Sequence, residues 1–431
     1  MFNSEIRIPE IRNEPRLEMD KAEASSQTHL IKTSSTISDP PAKRVAAQIG
    51  RVAPQLTVVR RQLHQHPELS GAEFGTTAYL ARQLAAAKVP FRLGAGKKGI
   101  ITDIAPAAAA GAPVIALRGD IDALPITEEN RISWRSKNPG VMHACGHDAH
   151  SAILLGTTLA LHGAGRLPVG WRSIFQPAEE AGHGASQMVA QGALHGVDAI
   201  VAFHVDPNAA VGHVTITPGP QSAFCQDFVI EVRGRGGHGA RPHNTIDPIA
   251  VAAHLVTLVY QAVPRQTDVR DPVVVTIGAF HGGQANNVIP DTVELLGTIR
   301  SFDAGISERA RRTVERLCAG TARAFRAKIT PVFTSLLRGV VNDPRVTEIC
   351  TQAARGLLGR NRVIMERKPS LGAEDFADYL TAVPGCMMML GVRSPGAKIT
   401  PLHTSRLMLD ERVLLIGVKL FTRILLEWPA P

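Results

Sequence analysis

The sequence predicts an α/β protein: a catalytic domain with a mixed, largely parallel sheet flanked by helices, and a smaller domain inserted into it. Short apolar runs at residues 113–118, 171–175 and 198–203 alternate with helical patterns, and each run ends in acidic or imidazole residues. Such runs are typical of buried parallel strands. Between residues 227 and 336 the order changes to strand, helix, strand, strand, helix, strand. That order predicts a βαββαβ, ferredoxin-like domain.

Composition limits the function classes. The chain has 431 residues, of which 44% are hydrophobic and 20% charged, as expected for a globular enzyme of two or three domain-sized units. The net charge is +9, but lysines and arginines are scattered, which favours a solvated surface over a nucleic-acid interface. Five cysteines without regular spacing indicate a reducing compartment, so we expect a cytoplasmic protein. The longest uncharged apolar stretch, residues 248–264, falls short of the roughly 20 residues of a membrane span.

The beginning of the chain differs from the rest. Residues 1–42 are polar, mix both charge signs and lack the apolar region of a signal peptide. We expect them to form a poorly ordered extension. Helical patterns follow at residues 44–64 and 74–88, so the catalytic domain is predicted to begin at residue 43.

Residues 142–150 read Met-His-Ala-Cys-Gly-His-Asp-Ala-His and carry several possible metal ligands. Gly146 separates Cys145 from His147, which permits a tight bend that turns both side chains toward one point. A helical pattern at residues 150–162 would bring a helix N-terminus close by and favour a thiolate at Cys145. A Cys-x-His pair alone is weak, however, and a buried cysteine beside incidental histidines is an equally good interpretation.

Polar residues at three strand ends favour the metal site. Asp120 and Asp122 follow the first run, Glu179 and Glu180 the second, and His204 the third. Ligands of open α/β sheets gather outside the carboxyl ends of the strands, so these side chains should converge. Adjacent glutamates diverge, so one can bind metal while its neighbour holds the attacking water. Asp122 has two possible roles: it orients a metal-bound group or it caps the following turn.

The predicted inserted domain, residues 227–336, interrupts a catalytic domain of residues 43–226 and 337–431. Its helices are expected at residues 247–262 and 307–327, and its strands at residues 228–232, 273–280, 293–302 and 328–335. The α/β pattern then resumes with a helix from Asn342, a strand at residues 386–391 and a final helix at residues 405–428.

Six motifs together resemble subfamily D of the M20 peptidases, which contains hippurate hydrolases, auxin-conjugate hydrolases and N-acyl-amino-acid deacetylases. The likeness runs in the same order and spacing from about residue 45 to the C-terminus. The motifs are Arg-Gly-Asp-Ile-Asp-Ala-Leu-Pro at 118–125, residues 142–150, Phe-Gln-Pro-Ala-Glu-Glu at 175–180, Gly-Gly-His-Gly-Ala-Arg-Pro-His at 236–243, Asn-Val-Ile-Pro at 287–290 and Gly-Ala-Glu-Asp-Phe at 372–376.

The resemblance implies a site with two divalent metal ions, with Mn²⁺ favoured over Zn²⁺, Co²⁺ or Ni²⁺. Glu179 resembles the general base that activates the attacking water. Asp122 aligns with an aspartate that elsewhere in the wider group follows a ligand histidine by two residues; here Asp120 stands in that histidine's place. The expected ligands are Cys145 as the bridge between the ions, with His147, Glu180, His204 and His403.

The resemblance also implies hydrolysis of the amide bond of N-acyl amino acids, small molecules carrying acetyl, benzoyl or similar groups. His238 resembles a donor to the oxyanion, supplied by domain closure or across a dimer, and Asn287 a further substrate contact. We therefore expect a homodimer or higher homo-oligomer formed through the inserted domain. One departure from the family is Arg338, which occurs where the family commonly has Tyr-Pro-Pro and could select an acidic substrate.

Three alternatives stay open. A dipeptidase or carboxypeptidase of the same superfamily would share every catalytic residue. A cysteine amidase using Cys145 would keep its activity in a chelator, but His147 is poorly placed to be its base. A protein that only binds metal would tolerate the loss of Glu179.

Overall fold

The structure is a computed structural model that describes residues 40–366 and 368–429. The predicted N-terminal extension therefore lies almost entirely outside the described residues. Its last residues, 41 and 42, already belong to the first helix, which begins at Pro41. No helix in the described ranges is long and apolar enough to cross a membrane.

Eight α-helices are present in the described part of the chain. Several begin where the sequence supplies a cap: the Asp247 carboxylate accepts hydrogen bonds from the N–H groups of Ile249 and Ala250, and the Asp343 carboxylate accepts one from Val346. The helices are α1 (Pro41–Gln65), α2 (Phe74–Ala86), α3 (His147–Ala164), α4 (Gly184–Ala190), α5 (Pro248–Arg265), α6 (Ala304–Phe325), α7 (Pro344–Leu358) and α8 (Arg412–Leu426).

The strands of the described residues form one large sheet, one smaller sheet and two short pairs. They are β1 (Phe91–Leu93), β2 (Ile100–Thr102), β3 (Val114–Asp120), β4 (Gly170–Gln176), β5 (Ala199–Ala210), β6 (Val214–Ile216), β7 (Gly219–Pro220), β8 (Phe224–Arg233), β9 (Gly237–His238), β10 (Val273–Gly282), β11 (Val288–Ile289), β12 (Thr292–Ser301), β13 (Lys328–Phe333), β14 (Val341–Asn342), β15 (Val363–Met365) and β16 (Gly385–Arg393).

The large sheet has the order β1-β2-β4-β3-β5-β16-β6-β15. Its centre is parallel, since β3 pairs in parallel with β4 and β5, and β5 with β16. Alternate residues face opposite sides: Ile115 and Leu117 of β3 enter a core shared with α1, α3, α7 and α8, whereas Ala116 faces a smaller core that includes α4. This is the predicted mixed, largely parallel sheet flanked by helices.

The smaller sheet has the order β10-β12-β8-β13, and all its pairs are antiparallel. Helices α5 and α6 share a separate hydrophobic core with it. The elements follow one another as β8, α5, β10, β12, α6 and β13, which is the βαββαβ order expected from the sequence. A role of this part as a lid or dimerisation element stays a prediction.

Several predicted element bounds are wrong, three of them in elements that carry or adjoin the predicted site residues. Strand β5 does not end before His204 but continues to Ala210, because its pairing with β16 extends past that point. Helix α3 begins at His147 rather than at residue 150, directly after Gly146 in a left-handed conformation. Helix α8 begins at Arg412 rather than at residue 405, where the Asp410 carboxylate accepts a hydrogen bond from the Arg412 N–H.

Candidate active site

The carboxyl ends of two parallel strands bring the acidic residues together. Strand β3 ends at Asp120 and the neighbouring β4 ends at Gln176, and these two residues are register partners. The turns that follow carry Asp122 and the pair Glu179 and Glu180 to the same edge of the sheet. Convergence of the acidic strand-end residues is therefore seen in the structure, and His204 reaches the site from within β5.

The bend at Gly146 has the geometry that the sequence suggested. Gly146 has φ +83°, and a Cβ atom added there would lie 2.5 Å from Cγ2 of Val205. Only glycine fits this position without strain or a clash. The bend leaves Cys145 just before the helix and His147 at its first residue, both buried.

Five side chains of the predicted ligand set form one cluster. The Cys145 Sγ lies 3.4 Å from Nε2 of His204 and 3.3 Å from Nε2 of His403. The His403 Nε2 lies 3.3 Å from Oε1 of Glu180. Two donor groups, each with ligand atoms within 4.8 Å of one another, share Cys145: Cys145–His147–His204 and Cys145–Glu180–His403.

The imidazoles are oriented by bonds on their far side. The His147 Nδ1 lies 3.0 Å from the carbonyl oxygen of Asp122 and 3.1 Å from its Oδ1, and the His204 Nδ1 lies 2.8 Å from the carbonyl oxygen of Val205. Each ring therefore turns its Nε2 toward the cluster. Among the described residues, the buried His147 Nε2 has no hydrogen-bond partner, and the Glu180 Oε1 has none besides the 3.3 Å contact with the His403 Nε2. Buried donors and acceptors without partners fit a metal site.

Two other possible ligands of residues 142–150, His150 and Asp148, are used elsewhere. The His150 Nδ1 lies 2.6 Å from Oδ1 of Asp120, and its Nε2 accepts the Val205 N–H at 2.9 Å. Both ring nitrogens of His150 are therefore occupied. Asp148 points away into an ion pair with Arg60, in which Nε and Oδ2 lie 2.7 Å apart.

Electrostatics at Cys145 differ from the sequence expectation. Burial raises the pKa of the Cys145 thiol well above its usual value, an effect that nearby His147 opposes without cancelling. For the protein by itself, burial therefore opposes the thiolate that the sequence favours next to the helix N-terminus. A divalent cation among these donors would reverse the balance in favour of the thiolate.

A buried arginine that sequence analysis left without a role organises the acidic side of the site. Arg118 contacts three carboxylates: Nη1 lies 2.5 Å from Asp120 Oδ2, and Nη2 lies 3.0 Å from Glu374 Oε1 and 3.2 Å from Asp375 Oδ1. Glu179 joins Glu374 and Asp375 in a carboxylate group, and burial together with these two charges raises the pKa of Glu179 well above its usual value. In the sequence, the motif at residues 372–376 was the signal that could have pointed to Glu374 and Asp375.

The two residues predicted in the inserted part lie together, apart from the cluster. His238 of β9 pairs with Val288 of β11, and the Gly239 N–H donates to the carbonyl oxygen of Asn287 at 2.8 Å. His238 is exposed. Within residues 40–366 and 368–429, no hydrogen bond or ion pair joins His238 or Asn287 to the cluster. Arg338 lines a different cavity of about 560 Å³, none of whose lining residues belongs to the cluster.

A Cys, His and carboxylate cluster, buried except for the half-buried Glu180 and the exposed His403, at the carboxyl edge of an α/β sheet defines a class of metal-dependent hydrolases. This chain belongs to peptidase family M20/M25/M40, whose family model matches residues 116–427. It is a metallo-amidohydrolase that acts on amides. The family resemblance stated from the motifs is confirmed.

Named relatives match this chain over most of their length. An N-acetyl-L-cysteine deacetylase of Bacillus subtilis is 39% identical over 78% of this chain and 80% of the relative. Thermostable carboxypeptidase 1 of Saccharolobus solfataricus is 36% identical over 83% of this chain and 91% of the relative. A solved dinuclear metal binding peptidase of the M20 family, from Bacillus subtilis, is 32% identical over 88% of this chain and 98% of that chain, with a TM-score of 0.74.

Proposed function

We propose that the protein hydrolyses the amide bond of N-acyl amino acids and releases a carboxylic acid and a free amino acid. The observation that carries this proposal is the sharing of Cys145 between two donor groups, with Glu179 directly beside Glu180. One buried thiol can then serve two cations while the neighbouring glutamate stays free to move a proton. The N-acetyl-L-cysteine deacetylase relative supports an N-acyl amino acid as the substrate.

The residues present fit two divalent cations. Cys145 would bridge them, with His147 and His204 on one side and Glu180 and His403 on the other. Mixed thiolate, imidazole and carboxylate ligands suit several first-row ions, and Mn²⁺ is our proposal ahead of Zn²⁺, Co²⁺ or Ni²⁺. When bound, such ions supply Lewis acidity at the amide carbonyl and make water a stronger acid.

The general base in this proposal is Glu179. Its carboxylate takes the proton of the attacking water and returns it to the nitrogen of the leaving amine, so one residue serves as base and then as acid. A buried position beside Glu374 and Asp375 raises the pKa of Glu179, which suits a group that must hold the proton between the two steps. Arg118 fixes the positions of Glu374 and Asp375, the two carboxylates that lie beside Glu179.

His238 and Asn287 complete the proposal from the inserted part. His238 would donate a hydrogen bond to the developing oxyanion, and Asn287 would contact the substrate. Because both lie in the exposed β9 and β11 pair, they would reach the cluster by closure of residues 227–336 or from the partner in a homodimer.

The test is the Glu179→Gln variant, which keeps the side-chain shape and all proposed ligands. We expect retained metal, near-normal substrate affinity and a kcat lower by about a hundredfold or more. Glu348→Gln, an exposed change on α7, is the control. Wild-type turnover by Glu179→Gln would contradict the base assignment.

A second candidate, carboxypeptidase or dipeptidase activity, is favoured by the similarity to a thermostable carboxypeptidase. A substrate panel separates the two. Acetyl, benzoyl and indoleacetyl amino acids should be cleaved, whereas dipeptides and longer peptides should be poor substrates. Faster release of C-terminal amino acids from peptides would favour the second candidate instead.

A further inference from the structure

We propose that Glu73, a residue outside the predicted site, is a positioning residue that fixes the backbone immediately before Glu179. This inference rests on the proposed role of Glu179 as the base. It concerns the turn after β4, which carries both acidic residues of the site and which neither the motifs nor the predicted ligand set connects to residue 73.

The turn has an unusual conformation at Ala178, directly before Glu179. Ala178 has φ +54°, in the left-handed region that residues with a Cβ atom rarely adopt. Such a conformation persists only where surrounding contacts determine it. The contacts that hold Ala178 therefore decide where the Glu179 side chain points.

Glu73 accepts a hydrogen bond from the backbone N–H group of Ala178. Its side chain is fully buried, and its Oε1 accepts hydrogen bonds from the N–H groups of Gly71 and Ala178, both at 2.8 Å. The other oxygen, Oε2, is buried without a partner among the described residues. Burying a carboxylate with one unsatisfied oxygen costs free energy, so the burial of Glu73 indicates that its two hydrogen bonds have a specific role.

A second carboxylate secures the opposite side of Glu179. The Asp122 Oδ2 accepts the Glu180 N–H at 3.0 Å and the Ser70 hydroxyl at 2.7 Å. Glu73 and Asp122 thus hold the N–H groups on either side of Glu179. Because Asp122 holds Glu180 independently, loss of Glu73 should disturb the base more than the proposed ligand.

The carbonyl groups of the turn are held as well. The Gly182 N–H donates to the Glu179 carbonyl oxygen at 2.7 Å, and the Gly184 N–H donates to that of Ala178 at 3.1 Å. A Cβ atom at Gly184 would lie 1.7 Å from the carbonyl oxygen of Pro177, so helix α4 packs directly on the turn. Within the described part of the chain, the bond from the Ala178 N–H to Glu73 is the one hydrogen bond of Ala178 that a side-chain substitution can remove.

The test compares Glu73→Ala with Glu73→Gln, in the metal-loaded protein and with the substrate that the wild type cleaves. Glu73→Ala should lower kcat by about tenfold or more, at nearly unchanged KM and metal content, since a displaced base loses its alignment. Glu73→Gln keeps an acceptor oxygen and should stay within about threefold of the wild type.

A rescue variant separates positioning from general damage. Glycine adopts positive φ freely, so Ala178→Gly should restore much of the kcat lost in Glu73→Ala. If Glu73→Ala does not fold, Glu73→Asp, whose shorter side chain cannot reach both N–H groups, replaces it with the same rescue. Wild-type kcat in these variants, or a loss that Ala178→Gly leaves untouched, would overturn the proposal.

Hydrogen exchange is an independent readout that distinguishes failure of the Glu73 proposal from failure of the proposed function. Hydrogen exchange in the peptide covering residues 177–182 should accelerate in Glu73→Ala, also in the Glu179→Gln background. Accelerated exchange with an unchanged kcat would overturn the positioning role of Glu73 and leave the proposed function standing, because Glu179→Gln tests the base separately. Unchanged exchange would show that Glu73 does not fix the backbone of this turn, and it would overturn the Glu73 proposal.

Discussion

Asp122 contacts His147 twice, through its backbone carbonyl oxygen at 3.0 Å and through its carboxylate Oδ1 at 3.1 Å from the same ring nitrogen. Of the two roles that the sequence left open for Asp122, this geometry favours the orientation of a metal-binding group. The second carboxylate oxygen continues to Ser70 and to the Glu180 N–H, so Asp122 connects two proposed ligands.

Replacement of Asp122 should weaken metal binding. We expect Asp122→Ala to lower the affinity for at least one ion by about 10- to 100-fold, because the His147 ring loses a partner that fixes its orientation. Titration of the metal-free protein with Mn²⁺ or Zn²⁺ measures this. Ser70→Ala, which removes one hydrogen bond to Asp122 but leaves both contacts of Asp122 with His147, is the control, and equal affinities in all three proteins would contradict the expectation.

Removal of the shared thiol should have a larger effect. Cys145→Ala is expected to lose at least one ion per chain and nearly all activity while the fold survives, since the Sγ belongs to both donor groups. Metal analysis and circular dichroism test this. Cys318→Ala changes another buried cysteine, in the core of the smaller sheet, and should keep full metal content. Full occupancy in Cys145→Ala would exclude a bridging role.

His238 should affect turnover without affecting metal. We expect His238→Ala to keep its metal content and to lose roughly ten- to a thousandfold in kcat, about the cost of one oxyanion donor. The neighbouring exposed His243→Ala serves as the control. If the partner supplies His238, mixing His238→Ala with Glu179→Gln chains should restore some activity, whereas a fully active monomer would rule out that arrangement.

The buried ion-pair network around His64 should make stability depend on pH. Burial lowers the pKa of His64, but the charge of Asp148 and hydrogen bonds to Asp148 and Glu128 outweigh burial and the opposing charge of Arg60. The folded pKa is therefore raised above the unfolded value of about 6.5. Protonated His64 then stabilises the fold fully below about pH 6.5, and this contribution disappears as the pH rises through the folded pKa.

Thermal unfolding of the wild type and His64→Gln between pH 5.5 and 9 tests this expectation. The difference in stability should be largest at the acidic end and should shrink toward pH 9. His66→Gln is the control, because His66 is exposed and lies just after the end of α1, and it should show no such trend. A difference that grows with pH would show that the sign is wrong.

Strand-end reasoning predicted the site because it depends on local signals. Apolar runs followed by Asp120, Glu179 and His204 are visible in the sequence. Parallel pairing brings the ends of β3 and β4 together, whereas His204 lies within β5. The βαββαβ order was predictable for the same reason, since each element carries its own periodicity. The order of the large sheet was not, because β16 inserts between β5 and β6 from nearly two hundred residues away.

Contacts of buried polar groups were equally inaccessible. Arg118 meets Glu374 across 256 positions of sequence, and no local pattern indicates which carboxylates an arginine will join. The left-handed Ala178 gave no warning either, because alanine is not a residue that favours positive φ. The same holds for Glu73, whose partner Ala178 lies 105 positions away.

The distance along the chain between Cys145 and His403, 258 positions, has a consequence for biosynthesis. At the usual 5–20 residues per second, translation of that interval takes roughly 13 to 50 seconds. During this time a nascent chain carries Cys145 and His147 without the last partner. If His403 is a ligand as proposed, capture of metal by all five residues of the cluster must wait until synthesis has passed residue 403.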